Sequence, residues 1–169
     1  MITRTLRAAG AALLVALAHP LRADVPALDL ATFPRAALEI VQRAPQSLHR
    51  FHFDVWVADT PARAEQGLMF VRDLPAERGM VFPFEPGRVV SFWMKNTYIE
   101  LDMLFIAADG RVVKIIERAP PLRLDPLSSD VPVGAVLELR GGEAGLLGLR
   151  VGDQVSWKPA GKAPARSAP

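Results

Sequence analysis

Hydrophobic and polar residues alternate without a break over residues 49–57. Phe51, Phe53, Val55 and Val57 fall on one side, and Arg50, His52, Asp54 and Trp56 on the other. A two-residue period is that of a half-buried β-strand. Thr60-Pro61 follows, a capping residue ahead of proline at the first helical position, and predicts a short helix to about Met69. Further strands are predicted over residues 80–84, 89–95, 101–107 and 111–117. The last two flank Asp109-Gly110, a tight-hairpin signal because both residues tolerate positive φ. Strands over 135–140 and 153–157 complete the set, with a Gly-rich helical turn over 143–149 between them. The expected fold class is mainly β (α+β): a small closed or strongly curled, antiparallel-rich sheet of about seven strands with one or two short helices.

The two ends of the chain follow a different pattern. Arg4 and Arg7 precede an apolar run over residues 8–18, interrupted only by Gly10 and ending in Ala16-Leu17-Ala18, a small-x-small cleavage pattern. A second cleavage site ends at Ala23. The run is shorter than the roughly 20 apolar residues that a membrane-spanning helix needs. It also lacks the polar face of an amphipathic core helix, and its order of basic, apolar and small residues is that of a secretory signal. Residues 1–23 are therefore expected to be a signal peptide and 24–35 a leader. One β-rich domain is expected over 36–157, and a disordered tail over 158–169, which contains only Lys, Pro, Ala, Gly, Arg and Ser. No internal repeat is visible. The mature protein is expected in the periplasm or outside the cell, with no membrane anchor after cleavage.

The 169 residues suffice for one domain with a proper core, and a composition of 50% hydrophobic and 22% charged residues is an ordinary globular balance. The net charge of +2 comes from the ends. Cleavage after Ala23 removes Arg4, Arg7 and Arg22 and no acid, taking the net charge to −1. Without Lys158, Lys162 and Arg166 as well, residues 24–157 carry −4, so no nucleic-acid partner is expected. The absence of cysteine excludes a disulfide framework, a thiolate metal site and a thiol nucleophile.

Five segments stand out in combination: Gln66-Gly67-Leu68-Met69, Gly79-Met80-Val81-Phe82, Ser91-Phe92-Trp93-Met94-Lys95-Asn96-Thr97, Leu101-Asp102-Met103, and Val136-Leu137-Glu138-Leu139 followed by Gly152-Asp153. In this order and spacing the chain closely resembles the family called domain of unknown function 192, over about residues 37–155. The run from Phe92 to Thr97 is the most distinctive stretch of that resemblance. Glu100 departs from the pattern, standing where the family commonly has proline before Leu101-Asp102. The resemblance implies a small β-rich fold, often exported in bacteria, and no established activity.

Candidate chemistry gathers in these segments. Lys95, Asn96 and Thr97 follow the end of an apolar strand, and Asp102 lies inside the next one, one short connection away. Lys95 is placed to pair with Asp102, or with Glu138, another acid within an apolar strand. A carboxylate there is costly unless partnered. One reading is a satisfied ion pair and turn network that fixes strand register. The other is a polar cluster at a pocket mouth, with Asp102 as base or ligand group and Lys95 recognising an anion. Trp93 has the opposite strand parity to Phe92 and Met94, so it either packs a second core layer or offers an exposed stacking platform. Asn96 and Thr97 suit turn hydrogen bonding.

Met69, Met80, Met94 and Met103 could hold copper(I) as soft thioethers, but their spacing forms no compact ligand pattern and suits core filling. His49 and His52, three apart on a strand, point to opposite faces and cannot share a metal. Gly67 suits a close approach of another backbone, and Gly79, Gly141, Gly142 and Gly152 read as turn residues. No phosphate-binding glycine loop or Gly-x-Ser-x-Gly elbow is present. Neither a cofactor nor a metal site is expected.

Trp93, Lys95, Asn96, Thr97, Asp102 and Glu138 are thus the ligand-binding candidates, beside an apolar cleft near Trp93; no catalytic residue is singled out. The leading expectation is a non-enzymatic domain that binds a small ligand or a periplasmic protein. The alternatives are a hydrolase or lyase acting on an envelope component, with Asp102 or Glu138 as general acid–base, and an accessory scaffold without a pocket. Export has a direct readout. N-terminal sequencing of the periplasmic protein should begin at His19 or Asp24, and an intact Met1 on soluble cytoplasmic protein would contradict it.

Overall fold

In the computed structural model, which describes residues 27–44 and 46–159, the chain enters through a single 3-10 turn at Leu30–Thr32. The expected signal peptide, residues 24–26 of the expected leader and residues 160–169 of the expected tail lie outside the described residues. Strand β1 (Arg35–Ala44) buries Ala36, Leu38 and Ile40 and turns Ala37 and Glu39 outward. It pairs antiparallel with β2 (Ser47–Val57), which carries the alternation seen in the sequence: Phe53 and Val55 are buried, while His52 and Asp54 are exposed.

Strand β2 leads into α1 (Pro61–Gln66) and then β3 (Arg78–Arg88), which runs parallel to β2. A parallel pair cannot be joined by a tight hairpin, so residues 58–77 must cross over one face of the sheet. Thr60 caps α1 by accepting a hydrogen bond from the Arg63 amide, and Pro61 opens the helix. The helix ends at Gln66, short of Met69, because Gly67 takes φ +50° and turns the chain.

Strands β5 (Leu101–Ile106) and β6 (Val112–Ala119) form the hairpin expected around Asp109-Gly110, where Gly110 has φ +86°. Strand β8 (Val133–Arg140) runs between β5 and β3, antiparallel to both. After a short helix α2 (Glu143–Leu147), β9 (Gln154–Pro159) pairs with β1.

The result is a mixed seven-stranded sheet in the order β6-β5-β8-β3-β2-β1-β9, with two short helices. It departs from the expected closed or strongly curled sheet. The strand ladders run from β6 to β9 without closing, and these edges meet only through an isolated bridge between Arg111 and Gln154 and neighbouring backbone bonds such as Val112 N–H to Asp153 O at 2.8 Å. A parallel β2–β3 pair, invisible to any single-strand pattern, also makes the sheet mixed.

Two further expectations fail for local reasons. Of residues 89–95 only Ser91–Phe92 is extended and paired, forming β4, which joins β7 (Leu127–Ser128) in a separate two-stranded sheet. Gly79 is no turn residue: it lies within β3, where a Cβ would run into the Glu138 carbonyl oxygen.

The sheet has an apolar cluster on each face. One draws residues from all seven strands, among them Leu38, Phe53, Val81, Leu104, Val112, Leu137 and Val155. The other is built on Met80, Phe82, Met103, Phe105 and Val136 and is covered by Leu68 and Leu74 of the crossover and by Met94. Strand β5 is therefore buried at every position, and β8 at nearly every one.

Candidate functional site

A cleft of about 510 Å³ opens over the second cluster, between the end of α1, the outer end of β3 and the segment carrying β4. Gly67 brings the chain over Phe82 so closely that a Cβ would lie 3.3 Å from the ring. This seats Leu68 in the core and leaves Ala64–Met69 as one wall. The opposite wall is residues 88–93. It is held in place by β4–β7 pairing and by a reciprocal contact in which the Val90 amide donates to Ser129 Oγ at 3.0 Å and the Ser129 amide to the Val90 carbonyl at 2.9 Å.

Aromatic rings form the apolar lining. Phe92 meets Phe82 edge-to-face at 5.0 Å between centroids and Phe84 at 6.4 Å. Trp93 stands at the mouth, 50% exposed, and Lys95 Nζ lies over its ring at 5.4 Å. Arg88 covers Phe84 from the rim at 5.2 Å.

The polar floor is Glu138. Its register partners on either side are Met80 and Met103, so its carboxyl projects from β8 on the same face as two thioethers. The residue is only 4% exposed, and Oε2 has no hydrogen-bond partner. Removal from water without compensation raises its pKa from the ordinary carboxylate value to about 8. Thr97 is buried beside the cleft, its hydroxyl donating to the Lys95 carbonyl at 3.3 Å.

The structure separates the six candidates that the sequence grouped. Trp93, Thr97 and Glu138 line the cleft. Asn96 sits behind it in a left-handed turn, φ +54°, where its carbonyl accepts the Phe70 amide at 2.8 Å. Lys95 belongs to the rim.

Asp102 lies on the opposite face of the sheet and is fully buried. The expected Lys95–Asp102 pair does not form; backbone amides hold the Asp102 carboxylate instead. Oδ1 accepts the Arg118 amide at 2.7 Å and the Gly142 amide at 2.9 Å, and Oδ2 accepts the Ala144 amide at 2.7 Å. These bonds clamp the irregular end of β6 and the start of α2 onto β5. Among the described residues no ion pair joins Lys95 to Glu138 either. Phe82, Phe84, Phe92 and Arg88 are lining residues that were not among the binding candidates, although Phe82 and Phe92 lie in the family-like segments. A cue for Phe84 and Arg88 was present, since Pro83, Pro86 and Gly87 interrupt β3 just where it leaves the ladder with β8.

The comparisons agree with this fold and leave the site unassigned. The family model of DUF192, described as an uncharacterised ACR, matches residues 41–157, and the chain belongs to that family. Two crystal structures are similar over nearly their whole length. One, from Sinorhizobium meliloti 1021, is described provisionally as a transcription regulator; it is 38% identical, with 74% of this chain and 95% of that one covered and a TM-score of 0.68. The other, a protein of unknown function from Novosphingobium aromaticivorans DSM 12444, is 36% identical, with 80% and 94% covered and a TM-score of 0.71. None of the curated proteins matches.

Two predictions separate the acids. Asp102→Asn replaces one of the acceptor oxygens with an amide that cannot accept, leaving at least one buried N–H unsatisfied. It should cost about 1–3 kcal/mol in denaturant unfolding. Lys95→Met added to it should restore nothing, since the two do not interact; recovery in the double mutant would revive the ion pair.

For Glu138 the sign is opposite to that of a paired acid. The folded state holds a proton that the unfolded state releases near pH 4.5, so unfolding releases protons between there and about pH 8. Stability should therefore fall as pH rises through that window, by an amount on the order of 1 kcal/mol per pH unit, and level off above it. Melts from pH 4 to 9 should show this slope in the native protein and lose it in Glu138→Gln.

Proposed function

We propose that this is an exported, non-enzymatic domain whose cleft binds a small ligand. Glu138 carries the reading. An apolar face covered by loops needs no carboxyl group, and glutamine or methionine would fill the same space without the penalty of an unpartnered buried acid. Holding such a group at the floor of a cleft suits recognition of a polar atom on an otherwise apolar molecule. The cleft volume lies in the range of small-molecule sites, roughly 300–1,000 Å³. Apolar walls with few convergent polar groups are the usual composition of such sites.

A second reading has one observation in its favour. A carboxyl group with its pKa near 8 is still largely protonated at neutral pH, the state a general acid needs. In that case the domain is a hydrolase or lyase, and Glu138 protonates a leaving group. The provisional regulatory description of the Sinorhizobium protein finds no support in the charge of this chain, since residues 24–157 carry −4.

Fragment screening by two-dimensional NMR on the mature protein tests the proposal. Bound fragments should shift resonances of Leu68, Phe92, Trp93 and Thr97 together and leave the Asp102 face unmoved. Shifts scattered over the surface would overturn it, and chemical conversion of a bound fragment would move the assignment to the enzyme.

A further inference from the structure

We infer that the ligand of this cleft presents an organic cation, an ammonium group seated between the Glu138 carboxylate and the aromatic rings of the walls; this rests on the ligand-binding reading above. Three features of the cleft converge on a positive charge. Glu138 Oε2 is buried without a partner at the floor, so the site offers a strong acceptor that the protein itself leaves unused. The walls beside it are Phe82, Phe84, Phe92 and Trp93, whose ring faces carry negative potential and attract ammonium groups. The same protein already places cations on the outer rings, with Arg88 over Phe84 and Lys95 over Trp93. Among the described residues no protein cation lies over the inner pair, Phe82 and Phe92, which line the same cleft as the acid.

The competing chemistries fit less well. An anion would meet Glu138 at the floor and Glu65 of α1 on the wall. A neutral carbonyl or hydroxyl ligand would bind the protonated acid, but it would leave the aromatic lining as undifferentiated apolar surface. The charged groups around Glu138 are few: Glu65 from α1, Arg88 from the end of β3 and Lys95 from the rim, while its register neighbours on β3 and β5 are Met80 and Met103. Arg88 and Lys95 are solvent-exposed, so their repulsion of an incoming cation is screened.

Seating the cation ionises Glu138 and releases its proton to solvent. Binding is thereby coupled to pH through a single group. Phenyltrimethylammonium has no titratable proton, so any pH dependence of its affinity reports on the protein. Its dissociation constant should fall about tenfold per pH unit below the pKa of Glu138 and become flat above it.

The experiment is NMR titration of the mature protein with phenyltrimethylammonium, phenethylammonium, phenethyl alcohol and phenylacetate from pH 6 to 9. At pH 8 and above both cations should bind at least about tenfold more tightly than the alcohol, and phenylacetate least. Glu138→Gln should abolish the cation preference while leaving the alcohol affinity within about threefold. Trp93→Leu, a change at a half-exposed position, should weaken the cations selectively and keeps the test available if Glu138→Gln folds poorly. Equal or tighter binding of the alcohol, weakening as pH rises, would overturn the cation while leaving a ligand-binding cleft intact. Failure of all four probes to move any cleft resonance would count against the cleft as a small-molecule site altogether.

Discussion

Strand β8 hydrogen-bonds to β3 on one edge and β5 on the other, and apolar clusters cover both of its faces. The buried positions of such a strand cannot send a polar side chain to water, so each ionisable group at them or at the facing positions of its neighbours must find a partner or remain uncharged. Two acids meet this constraint within one register step. Asp102 on β5 is opposite Leu139, and Glu138 on β8 is opposite Met103. Because adjacent residues along a strand face opposite ways, the two carboxyl groups project to different sides of the same sheet.

Their environments diverge accordingly. On the Asp102 side, β6 is irregular where it passes Leu101 and Met103, and the chain leaving β8 turns through Gly141 and Gly142 into α2. Both irregularities free backbone N–H groups from ladder pairing, and one carboxylate collects three of them. Asp102 is therefore part of how the sheet ends. On the Glu138 side the acid stands in register between Met80 and Met103, and the cluster around it is made of thioethers and rings. No backbone amide donates to Glu138 Oε2, in contrast to the three that hold Asp102.

Much of this was legible in the sequence and part of it was not, for identifiable reasons. The β2 alternation, the Thr60-Pro61 helix start and the Asp109-Gly110 hairpin are local signals, and local geometry decides them. Strand β1 was not foreseen because Arg35–Ala44 mixes good helix formers such as Ala, Leu, Glu and Gln; pairing with both β2 and β9 overrides that preference. The candidate acids were visible as charges inside apolar strands, but their partners were not. Proximity in sequence suggested Lys95 for Asp102, whereas the actual partners are amides 16, 40 and 42 residues away. Parity along one strand is readable from sequence, yet which face of that strand becomes a cleft depends on the crossover after β2.

That crossover connects the fold to the site. A parallel β2–β3 pair forces residues 58–77 across the sheet, and the face they cover is the one bearing Glu138. Coverage is incomplete at the outer end of β3, where the ladder with β8 breaks between Pro83 and Arg88 and β4 lies away from the main sheet. The cleft is the gap between the crossover and that diverging segment. Had the loops closed over that face, the buried acid would remain a standing cost with no route to relief. On the ligand-binding proposal, the opening beside this unpartnered carboxyl group would let an external group answer it. The same burial that lowers stability as Glu138 ionises would then supply that partner's binding energy.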